Sequence, residues 1–236
     1  MTPPEDSSGP NRRAFVQRIV GVGAAVASAN LLAGCASASA APVYGSASRQ
    51  QPWDMSWVDK LGTFRTAYDS PEVLGGAALS YAEAAFAGYK ATGGRDGDFT
   101  PVLILRHRAS IMVLNDDMWK RLTLGAEYKI DDPRSGAPAM RNPFIDVRAS
   151  DTDSVGVTAA LDALIRRGAV ALACNYALTG VASRLKAREP DRKYTTESAL
   201  EEVHRNVLPG CYVMPNGIFA VSAAQDAGCH YMRVLV

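Results

Sequence analysis

The stretch "GAVALACNYALTG", residues 168–180, decides how the whole chain is read. Within it "AVALAC" is a continuous apolar run, too short for a helix, with Gly168 ahead of it and Cys174 and Asn175 closing it. Such a run is the mark of a strand buried on both faces, and strands of that kind belong to parallel sheets whose crossover helices cover both sides. Cys174 therefore stands where a central strand stops. A thiol there is either core packing, the usual fate of a free cysteine, or a reactive group at the strand tip.

Upstream of this strand, "VGVTAALDALIRR" is an amphipathic helix capped by Ser154 or an Asp just before it, with Val157, Leu161 and Leu164 as its apolar stripe and Gly168 as its stop. Further back, "TFRTAY" (63–68) and "TPVLILRH" (100–107) read as strands. Between them lies a helix with Ser70 as N-cap and Pro71 in its first turn, an apolar face of Leu74, Ala78, Tyr81 and Ala85, and an end at Gly93 and Gly94. "NDDMWKRLTLGAEYKI" reads as one helix with Met118, Leu122 and Ala126 inward; the Pro-rich passage after it is irregular, with Arg141 and Asn142 fixing the loop.

Downstream come a short helix around "GVASRLKA", a helix in "TTESALEEVHRNVL", the strands "CYVMP" and "YMRVLV", and a helix "AVSAAQDAG" between them. Apolar strands alternating with amphipathic helices predict an α/β three-layer sandwich with a mainly parallel sheet of five or six strands.

The N-terminus is built differently. Arg12 and Arg13, with Phe15 close behind, precede a weakly apolar run that ends in "LLAGC" at Cys35. A charged segment followed by a short apolar one is a targeting signal, and the run falls short of the roughly 20 apolar residues a span requires. The paired arginines resemble the twin-arginine export signal, and "LLAGC" resembles the bacterial lipobox. By that resemblance Cys35 is lipidated after cleavage, the protein is periplasmic and membrane-anchored, and Ala36 favours the outer membrane. Residues 1–35 are thus read as signal peptide, 36–52 ("ASASAAPVYGSASRQQP") as a flexible linker, and 53–236 as a single α/β domain.

Charge and cysteine usage narrow the function. The chain has 25 basic and 24 acidic residues, and removing the five charges ahead of Cys35 leaves 22 of each. A neutral domain lacks the basic footprint of a nucleic-acid binder. Beyond Cys35 the cysteines are Cys174, Cys211 and Cys229, an odd number that cannot all pair in one chain. If one disulfide forms in an oxidising compartment, Cys211 with Cys229 is the expected pair; export of the folded protein would instead leave all three as thiols. No CxxC, Walker loop, GxSxG elbow or HExxH motif is present, and neither a metal nor a cofactor is expected.

The run "VLILRHRASIMVLNDDMW", the passage "GAPAMRNPF", the strand "VALACNYAL" and the closing "PGCYVMPNGIFAVSAAQDAGCHYM" together resemble the DsrE/DsrF-like family of small sulfur-handling α/β proteins, in an exported branch. The resemblance implies a flavodoxin-like arrangement and a small homo-oligomer, with isolated aromatics such as Trp119 available to an interface. It also implies that Cys174 matches the strand-end cysteine that carries a persulfide in sulfur-relay members.

Independently of any family, ligands of open parallel sheets collect beyond the C-terminal ends of the strands. Those ends carry Asp69 and Ser70, Arg106 to Arg108 around His107, Cys174 with Asn175, and Asn216 with Gly217. In the catalytic reading Cys174 receives sulfane sulfur and His107 and a helix N-terminus favour the thiolate, while Asp69, Asn175, Asn216 and Gly217 serve the ligand. His204 reads as solvated and His230 as structural. The expected partners are a sulfur donor and acceptor or a small molecule. Two alternatives remain: a binding module without covalent chemistry, and an oligomeric scaffold lipoprotein.

Overall fold

The structure, a computed structural model, describes residues 53–145 and 159–235. The export arginines Arg12 and Arg13, the lipidation site Cys35, the linker 36–52 and the helix start at Ser154–Val157 lie outside the described residues.

Five strands form one all-parallel sheet: β1 (Phe64–Ser70), β2 (Phe99–Leu105), β3 (Val170–Cys174), β4 (Cys211–Met214) and β5 (His230–Arg233), in the order β4-β3-β2-β1-β5. The predicted α/β class holds, with the lower of the two expected strand counts. β2 is central and its seven residues are all buried. Leu103 and Leu105 point to one face and Val102 and Ile104 to the other. Each fully buried side chain of this size contributes about 2 kcal/mol.

Seven helices are described: α1 (Ala77–Ala91), α2 (Asp116–Leu122), α3 (Leu124–Tyr128), α4 (Leu161–Arg166), α5 (Asn175–Arg188), α6 (Thr196–Arg205) and α7 (Gly217–Asp226). Their placement follows from strand order and the right-handedness of parallel crossovers. The path β1 to β2 to β3 to β4 always steps in one direction, so the helices between those strands share one face. There they enclose the larger core, with Leu79, Phe86, Trp119, Leu161, Leu178 and Val203. The return from β4 to β5 runs the opposite way, so α7 crosses on the other face. It encloses a smaller core with Trp57, through Ala220, Ala223 and Ala224.

Several expectations are corrected. Ser70 does not cap a helix: β1 runs through it in register with Leu105, and its hydroxyl donates to the Glu72 carbonyl at 2.8 Å. The Ser-Pro signal is outcompeted by strand pairing, and α1 begins only after Gly76, which turns the chain with a left-handed φ of 86°. The inward face of α1 is accordingly Ala78, Leu79, Ala82 and Phe86.

The helix expected in this stretch is capped by Asn115, whose Oδ1 accepts from the Met118 N–H at 3.1 Å, but it breaks at Thr123 (φ 48°) into α2 and α3 and leaves Ala126 exposed. The short helix at "GVASRLKA" is the second half of the fourteen-residue α5. Asn142 does fix its loop: its side chain donates to the Met112 and Leu114 carbonyls and accepts from the Phe144 N–H. Trp119 is fully buried, with Nε1 donating to the Ile111 carbonyl, and is unavailable to an interface.

The Cys211–Cys229 pairing is also overturned. Cys211 opens β4 and Cys229 immediately precedes β5, the two edge strands, and both are free thiols. Four inter-strand spacings separate those edges, roughly 19 Å, whereas a disulfide needs Cα atoms within about 7 Å.

Candidate functional site

In an open parallel sheet a crevice forms where neighbouring strands send their following helices to opposite faces. Here that happens between β3 and β4. After β3 the chain turns into α5 on the larger-core face; after β4 it turns into α7 on the other. Cys174 and Met214 are in register at the tips of the two strands, so Cys174, Asn216 and Gly217 border the crevice. A cleft of about 360 Å³ opens there.

Cys174 forms part of the cleft lining and is 6% exposed. It is the residue from which α5 starts, and its Sγ accepts the Gly217 N–H, the first of α7, at 3.2 Å. The thiol thus meets the N-terminal ends of two helices, where unpaired N–H groups and the helix dipoles favour negative charge. Gly217 is required by this approach. A Cβ at that position would collide with Cβ, Cγ and Cδ of Arg106. Asn216 caps α7, its Oδ1 accepting from the Phe219 N–H at 2.9 Å.

Arg106 follows β2 and is fixed from below. Its Nε and Nη2 donate to Asp69 Oδ1 and Oδ2 at 2.6 and 2.9 Å, a bidentate pair in which the Asp69 side chain is only 3% exposed. Tyr231 of β5 donates its hydroxyl to Asp69 Oδ2 at 3.0 Å. Hydrogen bonding to Asp69 pushes the Arg106 pKa above its ordinary value, with burial opposing. Burial first, and then the bond to Asp69, raises that of Tyr231. Asp69 is therefore the support of an arginine and not itself part of the cleft lining.

His107 lines the cleft with left-handed backbone (φ 52°), which costs a non-glycine residue about 1–2 kcal/mol. Its ring is 72% exposed, and Nδ1 lies 3.5 Å from Glu72 Oε1. Glu72 also holds Arg108, Nε to Oε2 at 3.1 Å. The structure thus gives His107 a place beside the thiol's cleft but pairs it with Glu72. Asn175 turns elsewhere: its Oδ1 sits 2.7 Å from Nε2 of His204 on α6. His204 is accordingly half-buried, not solvated, and burial lowers its pKa. His230 is exposed against the Phe64 ring.

Sequence reasoning missed the rest of the wall. Arg184 and Tyr128 form one side, with the Arg184 Nη1 donating to the Tyr128 hydroxyl at 2.7 Å. Tyr176 and Ile218 form the lip, 71% and 64% exposed. Each is the second residue of its helix, α5 or α7, a signal that becomes readable only once both helices are known to start at the same crevice.

Among the described residues no group of three or more His, Cys, Asp or Glu side chains is arranged to hold a metal ion, and no helix is long and apolar enough to cross a membrane. No family model, curated protein or solved structure matches the chain.

Proposed function

We propose that the protein is an exported, lipid-anchored, DsrE-like carrier of sulfane sulfur in which Cys174 is the carrying thiol. The observation that carries the reading is the hydrogen bond from the Gly217 N–H to Cys174 Sγ, at the floor of a cleft where two helices begin. A thiolate attacking a sulfane sulfur needs its charge stabilised before the step, and a resting persulfide needs the same afterwards. Helix N–H groups meet both demands without a further general base. Cys211 and Cys229, by contrast, are pushed up to about 12 and about 11 by burial and lie at the N-terminal ends of their strands, opposite to the cleft.

The sulfur step is an exchange. The Cys174 thiolate forms a bond to the outer sulfur of the donor, the donor's S–S bond breaks, and the donor thiolate leaves with the electron pair. An acceptor thiolate later repeats the exchange on the Cys174 persulfide. A second reading, non-covalent binding of a small molecule in the same cleft, is favoured by the low exposure of Cys174.

The two readings separate by mass spectrometry of the purified protein and its Cys174→Ser variant after incubation with inorganic polysulfide. The carrier reading expects one added sulfur on the peptide containing Cys174 and none there in the variant. A Cys174 that stays unmodified until the protein unfolds leaves the binding-module reading in its place.

A further inference from the structure

The cleft wall has a consistent sign. Arg106, Arg108 and Arg184 all line it, whereas their carboxylate partners Asp69, Glu72 and Glu127 do not. Each guanidinium is held by a carboxylate that is not part of the wall, so its orientation is set before a ligand arrives, and a guanidinium carries five N–H donors, more than these bonds use.

Arg108 and Arg184 both lie over the Tyr128 ring, at 4.7 and 5.4 Å from its centroid. The shared ring keeps both guanidiniums on the Tyr128 side of the cleft, where their remaining N–H donors are available to an anion. At the lip, Tyr176 and Ile218 leave large apolar side chains in water, surface that a bound carbon skeleton would cover. The cleft volume of about 360 Å³ falls at the small end of the range for small-molecule pockets.

We infer that the sulfur donor is a small organic anion: a low-molecular-weight persulfide, R–S–SH, whose R group bears a carboxylate. This rests on the sulfur-carrier reading above. The carboxylate binds Arg108 and Arg184, the carbon skeleton lies against Tyr176 and Ile218, and the outer sulfur reaches Cys174. Attack forms Cys174–S–SH and releases R–S⁻, with no net oxidation and no further reactant.

Two measurements on the full chain test this and keep it apart from the reading it rests on. The first alkylates native protein with iodoacetate, an anion, or iodoacetamide, its neutral counterpart, and follows the Cys174 peptide. The ratio of the two rates should be about tenfold higher than in the urea-unfolded chain, and should drop about fivefold in Arg108→Gln or Arg184→Gln, the effect of losing roughly 1 kcal/mol of charge interaction. Arg108 is half-exposed, so its variant keeps the fold even if Arg184→Gln, which gives up Glu127 and Tyr128, does not.

The second measurement compares loading of Cys174 by the persulfide of N-acetylcysteine, which has a single carboxylate, and by its ethyl ester, which has none; the acid should load faster, and the gap should close in Arg108→Gln. Equal ratios in native and unfolded protein, or a ratio unchanged in both variants, overturn the anion site. Equal loading by acid and ester leaves the carrier standing and overturns the donor class. A raised ratio without loading by either donor overturns the carrier reading, and the donor with it, while the anion cleft stands.

Discussion

Cys174 ends β3 at the C-terminal edge of the sheet, whereas Cys211 begins β4 and Cys229 precedes β5 at the N-terminal edge. All three belong to one sheet, yet their surroundings are opposite in kind. Every strand of a parallel sheet points the same way, so helix N-termini gather at one edge and helix C-termini at the other. Cys174 accepts an N–H from the start of α7 and lines an open cleft. Among the described residues the other two thiols gain no such donor, and burial raises their pKa values to about 12 and about 11. The polarity of the sheet places Cys174 beside helix N-termini at a cleft and leaves the other two thiols at the opposite strand ends, where burial dominates.

The largest effect expected from this contrast lies in the alkaline limb of stability. An unfolded thiol titrates near 8.5, so between that pH and the folded values the unfolded chain has lost protons that Cys211 and Cys229 still hold. Fewer protons on the unfolded state means that stability falls as pH rises. At pH 10 the loss is about 1–2 kcal/mol for each of the two. Urea unfolding at pH 8 and pH 10 should show it, and Cys211→Ala with Cys229→Ala should flatten the slope. Tyr68 and Tyr231, whose pKa values burial also raises, add to the fall above pH 10, so the difference between wild type and variant is the quantity to read. An identical slope in both would mean that the N-terminal-edge thiols are not held protonated, and the comparison would break.

A smaller effect tests the other edge. Gly217→Ala places a methyl group against Cβ, Cγ and Cδ of Arg106, which Asp69 holds in place, so the start of α7 must move. The expected loss is about 1–3 kcal/mol, together with a changed rate of Cys174 alkylation as the Gly217 N–H leaves Sγ. Gly180, also on the cleft but inside α5 with open space around it, is the control. Gly180→Ala should stabilise by about 0.5–1 kcal/mol. Were both variants equally stable, α7 would not approach Arg106 as closely as described.

The fold was legible in the sequence wherever local chemistry and tertiary packing agree. "AVALAC" is too short and too apolar to be anything but a buried strand, and Asn115 caps its helix through the side-chain oxygen that makes that residue type a good cap, whereas the caps at Thr195 and Asn216 were not read. Legibility failed where the two compete. Ser70 and Pro71 carry a sound helix-start pattern, but the pairing of β1 with β2 claims Ser70 for the sheet.

The site was legible as a set of strand ends and no further. Strand order is a long-range property, and only the order β4-β3 with helices leaving to opposite faces singles out Cys174 and Gly217 as neighbours across 43 residues. The same limit hid the Asp69–Arg106 pair, 37 residues apart, and the Asn175–His204 pair, 29 apart. The cationic wall was half visible in "RHR" (106–108), while Arg184 read as one charge among several on a helix.

The smallest expected effect sharpens the comparison from just behind the thiol. His204 supports Asn175, the residue after Cys174, through Nε2 to Oδ1, a bond in which the neutral ring donates from Nε2. Burial disfavours the charged ring, and the nearby Glu201 opposes that only in part, so the folded pKa lies below the ordinary 6.5. Below pH 6.5 the unfolded chain then binds a proton that the folded one refuses, and stability falls as pH falls. Because His204 is only half-buried, the loss between pH 7 and pH 5 should stay under about 1 kcal/mol. His204→Gln, which keeps a donor for Asn175, should remove that acid dependence while leaving the alkaline limb intact. A wild type and variant with the same acid slope would mean that the ring is solvated, and that the start of α5 behind Cys174 is held by its backbone alone.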